Sequence, residues 1–162
     1  MGAGKTTVGR LLADRLGCIY YDNDEQLKQL SGRSALDLEL SAGVEDLHRR
    51  ELDELRRLAQ LPPPFVGGVA ASIADSEPGL ALVRSTGYTV YLAAPAQVLA
   101  ARTGLHSGRP LLGARPAAVL EEQVARRDPA YRAAAHLTIE TATLAPAATV
   151  DRIADALQNF AP

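Results

Sequence analysis

Gly2-Ala3-Gly4-Lys5-Thr6-Thr7, directly after the first methionine, decides how the rest of the chain is read. The stretch fits the end of G-x-x-x-x-G-K-[ST], a glycine-rich loop set between a strand and a helix. Gly4, Lys5 and Thr6 take the last three places, and the motif's first glycine would fall before Met1. Gly2 and Gly4 let the backbone curl so that its N–H groups point inward at phosphate oxygens. Lys5 brings a positive charge to the terminal phosphates, and the Thr6 hydroxyl is a hard oxygen ligand for Mg²⁺. Val8, Leu11, Leu12 and Leu16 follow at helical spacing, so a helix is expected over Lys5 to Leu16, ended by Gly17. Its positive end faces the same phosphates. The strand that feeds such a loop would precede it, so the working protein is expected to extend upstream of Met1.

Downstream, short apolar runs alternate with helical patterns. Cys18 to Tyr21 reads as a buried strand closing on Asp22-Asn23-Asp24. Short helices are expected over Glu25 to Leu30 and from a Ser34 cap through Leu40, then a longer one over Gly43 to Leu61, broken by Pro62-Pro63-Pro64. Phe65-Val66 enters a strand ending at Gly67-Gly68, and Pro78 to Thr86 reads as helix. Tyr88 to Leu92 is a strand, with Pro95 at the first position of the next helix. Gly104 to Arg115 reads as a mobile loop, Pro116 to Arg127 as helix, His136 to Thr141 as a last strand and Ala147 to Phe160 as a last helix. Strands alternating with helices predict an α/β fold, a parallel sheet with helices on both faces. Such a sheet places ligands at the carboxyl ends of its strands, where the phosphate loop, Asp22/Asp24 and Gly67-Gly68 fall.

Composition narrows the function classes. The 162 residues suit a single domain, and 47% hydrophobic with 22% charged residues is ordinary globular composition. A net charge of −2 gives no general pull toward nucleic acid or anionic membrane, and 4% aromatics give no stacking platform for bases. No apolar stretch approaches ~20 residues, so a soluble cytoplasmic protein without a membrane or nucleic-acid partner is expected. Cys18 is the sole cysteine, which excludes an internal disulfide.

In order and spacing these motifs resemble the shikimate kinase family over essentially the whole chain. G-A-G-K-T-T-V-G-R at 2–10 is similar to its nucleotide loop, and Asp22-Asn23-Asp24 to its D-x-D after the second strand. Gly32-Arg33-Ser34 resembles the turn before its substrate-side helix. Gly67-Gly68 sits where the family has three glycines, Gly108 to Leu112 resembles its lid, and Arg127-x-Pro129-x-Tyr131 the segment closing the substrate pocket. The resemblance implies one three-layer P-loop kinase domain over 1–162, with substrate-binding helices at about 24–61 and a lid at about 104–115. Its five-stranded sheet would have the order 2-3-1-4-5, with the first, central strand missing from this sequence. It also implies ATP-dependent phosphorylation of the shikimate 3-hydroxyl with Mg²⁺, by a monomer.

Carried onto this chain, Gly2, Ala3, Gly4, Lys5, Thr6, Thr7 and Arg109 would bind ATP, with Lys5, Asp22 and Arg109 catalytic. Thr6 and Asp22 would serve the metal, Asp22 either through water or by orienting the attacking hydroxyl instead. Asp24, His48, Gly67, Gly68 and Arg127 would hold the substrate, Arg127 as a bidentate clamp on its carboxylate.

The substrate side departs at two positions. His48 stands where the family has an arginine, with Glu51 keeping the register. An imidazole cannot make the arginine fork, so weaker shikimate binding that improves toward pH 6 is expected. Arg49 lies about 100° away around a helix and would need a local twist to substitute. Val69 replaces the third glycine and is expected to narrow the substrate site or shift its backbone. A kinase for another small hydroxy acid, such as gluconate, and a nucleotide-binding protein without catalysis stay open as alternatives.

Overall fold

A computed structural model describes residues 2–104 and 116–160. The element order is α1 (Lys5–Leu16), β1 (Ile19–Asp22), α2 (Asn23–Ser31), α3 (Ala35–Ala42), α4 (Val44–Leu58), β2 (Phe65–Gly68), a 3-10 turn (Ala71–Asp75), α5 (Glu77–Thr86), β3 (Val90–Ala93), α6 (Ala96–Gly104), α7 (Pro116–Ala134), β4 (Leu137–Glu140) and α8 (Pro146–Gln158). The chain divides into two compact units: Met1–Val8 with Tyr88–Pro162, and Gly9–Gly87.

All strand pairing among the described residues is parallel, as the alternation of strands and helices predicts. In the Gly9–Gly87 unit β1 pairs with β2, with Ile19 opposite Phe65 and Asp22 opposite Gly68. In the other unit β3 pairs with β4, from Val90 opposite Leu137 to Ala93 opposite Glu140. The expected order places these two pairs on either side of a central strand. Among the described residues no fifth strand joins them.

The Gly9–Gly87 unit is built on α4, where Leu47, Glu51 and Leu55 are buried at spacings of one helical turn. Leu47 packs with Leu27 of α2 and Leu38 of α3, and Leu55 packs with Ala70 and Ile73 beyond β2. α3 starts on a capping box in which Ser34 and Asp37 bond each other's backbone N–H groups. Gly32, at φ 69°, ends α2 in the left-handed conformation. In the other unit Ala94, Ala96 and Leu99 of the β3–α6 segment pack on Leu120 of α7.

Most element boundaries differ from expectation by one to three residues, and four of the differences have a visible physical reason. α2 begins earlier, because the Asp22 side chain itself caps it. α4 stops at Leu58, where Gln60 and Leu61 bond back three residues before the prolines. Pro95 precedes the helix rather than opening it, its carbonyl accepting from the Leu99 N–H. α7 runs through Pro129 to Ala134 instead of ending at Arg127. The expected lid, Arg109 included, lies largely outside the described residues.

Candidate active site

The phosphate loop takes the backbone shape its glycines predict. Gly2 has φ 74° and Gly4 φ 91°, both in the left-handed region that side chains disfavour. The Gly4 carbonyl accepts from the Val8 N–H at 2.9 Å, which starts α1 directly behind the loop. Lys5 and Thr6 occupy the first turn, Lys5 half-buried and Thr6 and Thr7 exposed. Gly2 lies so close to α6 that a Cβ there would meet the Leu99 carbonyl oxygen at 2.8 Å. Ala3 packs on the Leu99–Leu120 cluster.

Arg102, which sequence reasoning missed, links this loop to the end of β4. Its Nη1 reaches the Gly2 carbonyl at 3.4 Å and Thr141 Oγ1 at 3.3 Å. Its Nη2 donates to the Thr141 carbonyl at 2.6 Å and to that of Ala142 at 3.4 Å. No motif marks this arginine; only the folded chain brings it to the loop.

In the same unit Arg127 sits half-buried in the middle of α7. The next residue, Asp128, accepts from the Tyr91 hydroxyl at 3.0 Å and from Arg132 Nε at 2.7 Å. Arg132 also donates to Glu140 at 2.9 Å and lies over the Tyr91 ring, on which Tyr131 packs with centroids 4.9 Å apart. Burial, helped by the Asp128 carboxylate, keeps the Tyr91 hydroxyl protonated well above the ordinary phenol range. These contacts fix the helix that carries Arg127 to both strands of its sheet. The cleft beside them, about 370 Å³, is lined by Asp128, Arg132 and Glu140 and by none of the residues predicted for the site.

In the Gly9–Gly87 unit the carboxyl ends of β1 and β2 bring Asp22 and Gly68 side by side. Asp22 is buried, and both its oxygens are held: Oδ1 accepts from the Asp24 N–H at 3.0 Å and Oδ2 from the Tyr20 hydroxyl at 2.9 Å. Residues 20 and 22 share a face of the strand, so a period-two reading could have found Tyr20. Gly9 of α1 makes room for that ring, since a Cβ there would come within 2.3 Å of it. Asp22 is thus a helix cap. The Thr6 hydroxyl in one unit and the Asp22 carboxylate in the other are each an oxygen group of the kind a hard cation takes. Among the described residues no group of three or more His, Cys, Asp and Glu would hold a metal by protein ligands alone.

Asp24 is exposed in the first turn of α2. The neighbouring Asn23 is buried, and its Nδ2 has no hydrogen-bond partner among the described residues; nothing in the structure explains it. Gly67 has a packing reason of its own, because a Cβ there would meet the Leu58 side chain at 2.6 Å. Val69 sends its side chain into the Leu55–Ala70–Ile73 cluster, and among the described residues no non-glycine has positive φ. His48 is half-buried on α4, one turn before Glu51, whose carboxylate accepts from the Ser72 hydroxyl. Arg49 is exposed and ion-paired with Asp46, whose carboxyl is held below its usual range by hydrogen bonds from Arg50 and Arg49. It does not take over position 48.

Known proteins resemble this chain along nearly its whole length. The family model described as shikimate kinase matches residues 1–158. The chain is 38% identical over 143 residues to a shikimate kinase of Neisseria meningitidis serogroup C, covering 88% of this chain and 84% of that one. It is 34% identical to a shikimate kinase of Psychrobacter arcticus, covering 99% and 86%. Among solved structures, shikimate kinase from Acinetobacter baumannii in complex with shikimate is similar at TM-score 0.91 and 31% identity, over 98% of this chain and 89% of that one. Shikimate kinase from Aquifex aeolicus is similar at TM-score 0.83 and 26% identity, over 98% and 92%. With a phosphate loop, an acidic strand end and a family match along nearly its whole length, the chain belongs to the shikimate kinase family, phosphotransferases that act on a hydroxyl group.

Proposed function

We propose that this chain moves the γ-phosphoryl group of ATP to the 3-hydroxyl of shikimate through the residues its motifs supply. Phosphoryl transfer asks a protein for positioning and charge neutralisation more than for covalent chemistry. The amides of Gly2 to Thr6 and the start of α1 grip the terminal phosphates, and the Lys5 ammonium offsets charge on the transferred group. Magnesium, held through Thr6 and Asp22, supplies further neutralisation when bound. Asp22 accepts hydrogen bonds from the attacking hydroxyl or from metal-bound water. Asp24 and the Gly68 N–H hold shikimate hydroxyls, Gly67 shapes that strand end, and Arg127 takes the carboxylate with the weaker help of His48. Arg109 is assigned to the ATP phosphates by the resemblance alone. A single kinase domain, a monomer and a cytoplasmic location belong to the same reading. Among the described residues no helix is long and apolar enough to cross a membrane.

The observation that carries the reading is the pair of left-handed glycines immediately before the first turn of α1, with Lys5 and Thr6 in that turn. The test is a coupled ADP-release assay with shikimate, with gluconate and with no acceptor, each with magnesium and with chelator. Release that requires both shikimate and magnesium is expected. Turnover on gluconate alone would move the acceptor class. Nucleotide binding without turnover on either compound would leave a binding protein.

A further inference from the structure

We propose that Tyr91 and Asp128 are positioning residues that aim Arg127 at the carboxylate of the substrate. The inference rests on the reading of Arg127 as the carboxylate clamp. Asp128 follows Arg127 directly in α7, so a planar peptide joins the two backbones. Its carboxylate is the hub of a chain of bonds that reaches both strands of the sheet. Oδ1 accepts from the Tyr91 hydroxyl of β3 at 3.0 Å, and Oδ2 accepts from Arg132 Nε at 2.7 Å. Arg132 Nη2 carries the connection on to Glu140 of β4 at 2.9 Å. Tyr131, one turn after Arg127 on the same side of the helix, packs on the Tyr91 ring.

Pro129 is the reason such a hub matters at this point of the helix. A proline has no N–H, so position 129 donates nothing to the Ala125 carbonyl, and the ring crowds that carbonyl. Arg127 lies midway between those two positions, inside the turn that lacks this bond. The backbone ladder therefore holds Arg127 less firmly than an unbroken helix would. Asp128 and Arg132 stand on either side of Pro129, and their bonds tie the weakened turn to β3 and β4. A bidentate pair with a carboxylate needs the guanidinium plane held in orientation as well as in place. The Tyr91 hydroxyl, kept protonated by burial, remains a donor to Asp128 across the neutral pH range.

The experiment measures shikimate and magnesium ADP binding by calorimetry on the full chain and on its Tyr91→Phe, Arg127→Gln and doubly substituted forms. Tyr91→Phe keeps the ring and removes one hydrogen bond, so shikimate affinity is expected to fall about two- to tenfold with ADP affinity unchanged. In the Arg127→Gln background the same change is expected to make no further difference, because no clamp is left to aim. A further loss of the same size in that background would show that Tyr91 acts independently of Arg127 and overturn the proposal. Equal weakening of shikimate and ADP would mark a general folding role and overturn it too. Wild-type protein that does not bind shikimate, or Arg127→Gln that binds it as wild type does, brings down the clamp reading together with this one. Loss in Arg127→Gln with wild-type affinity in Tyr91→Phe brings down the positioning role alone. Asp128→Asn, which keeps an acceptor for the Tyr91 hydroxyl but gives up the charge that meets Arg132, is the second variant should Tyr91→Phe not fold. It is expected to weaken shikimate in the same direction, and unchanged affinity would overturn the proposal.

Discussion

The unit holding the phosphate loop and the unit holding the acidic strand end use different parts of the chain to do their work. Around Gly2 and Gly4 the proposed reading rests on backbone, with φ values of 74° and 91°. Around Asp22 and Gly68 the proposed reading rests mainly on side chains of α2, α4 and the strand ends. Each visible place of the nucleotide motif is filled as the motif asks, whereas the acceptor side has changed at His48 and Val69. Backbone geometry leaves a position almost no acceptable substitutes. A side-chain contact can be exchanged at the cost of one hydrogen bond, so acceptor recognition is the part of this enzyme that can drift.

The largest effect expected is at Lys5. Lys5→Ala should lower kcat by ~10²–10³, the scale of losing one preorganised group that stabilises transition-state charge. The shikimate KM should stay within a factor of about two, since equal binding of ground and transition states is not what this ammonium supplies. Steady-state kinetics on the coupled assay checks both. A rise in shikimate KM as large as the fall in kcat would break the division between the two units.

His48→Arg is expected to come next, and in the direction of gain. Restoring a guanidinium on that face of α4 adds a charge-assisted bond to the shikimate carboxylate, ~1.5–3 kcal/mol, or about ten- to a hundredfold in affinity. The shikimate KM should fall, with the ATP KM unchanged. An unaltered shikimate KM would mean that Arg127 holds the carboxylate without help from position 48.

Local sequence made most of this fold readable, and tertiary contacts account for where it did not. The glycine end of α1 and the Ser34 cap of α3 depend on a few neighbouring residues, and both stand where the sequence leads one to expect them. Pro129 is the opposite case. A proline inside a helix costs ~3 kcal/mol or more locally, which argues for an end near Arg127. Beyond it, however, α7 is tied down by Arg132 to Glu140 and by Tyr131 on Tyr91, partners that lie far along the chain or across the sheet. Those contacts hold the second half in place against the local preference. The same distinction separates Asp22, legible from its place at a strand end, from Arg102. The latter meets Gly2 across 100 residues of sequence.

Gly9→Ala probes packing under the acceptor side without touching either ligand. The new methyl would come within 2.3 Å of the Tyr20 ring, so the ring or the helix must shift. Overpacking of this kind costs ~1–3 kcal/mol, which urea or thermal unfolding would register. Affinity for tripolyphosphate should be retained, because Gly2 to Val8 belong to the other unit. Equal stability would show that the ring has somewhere to go, and would weaken the claim that Gly9 and Tyr20 together orient Asp22.

Tyr20→Phe isolates that claim and carries the smallest expected effect. The ring stays, so Gly9 keeps its neighbour, and only the hydroxyl that donates to Asp22 Oδ2 is lost. Oδ1 remains fixed by the Asp24 N–H, so α2 keeps its cap and the fold should be barely disturbed. A net hydrogen bond of ~0.5–1.5 kcal/mol, if expressed in the transition state, corresponds to about a two- to tenfold fall in kcat. With that bond gone, the carboxylate is held less firmly toward the attacking hydroxyl, so kcat should fall while the ATP KM holds. Unchanged kcat would mean that the helix cap alone aims Asp22. The acceptor side would then rest on backbone geometry as the phosphate loop does, and the contrast between the two units would narrow to His48.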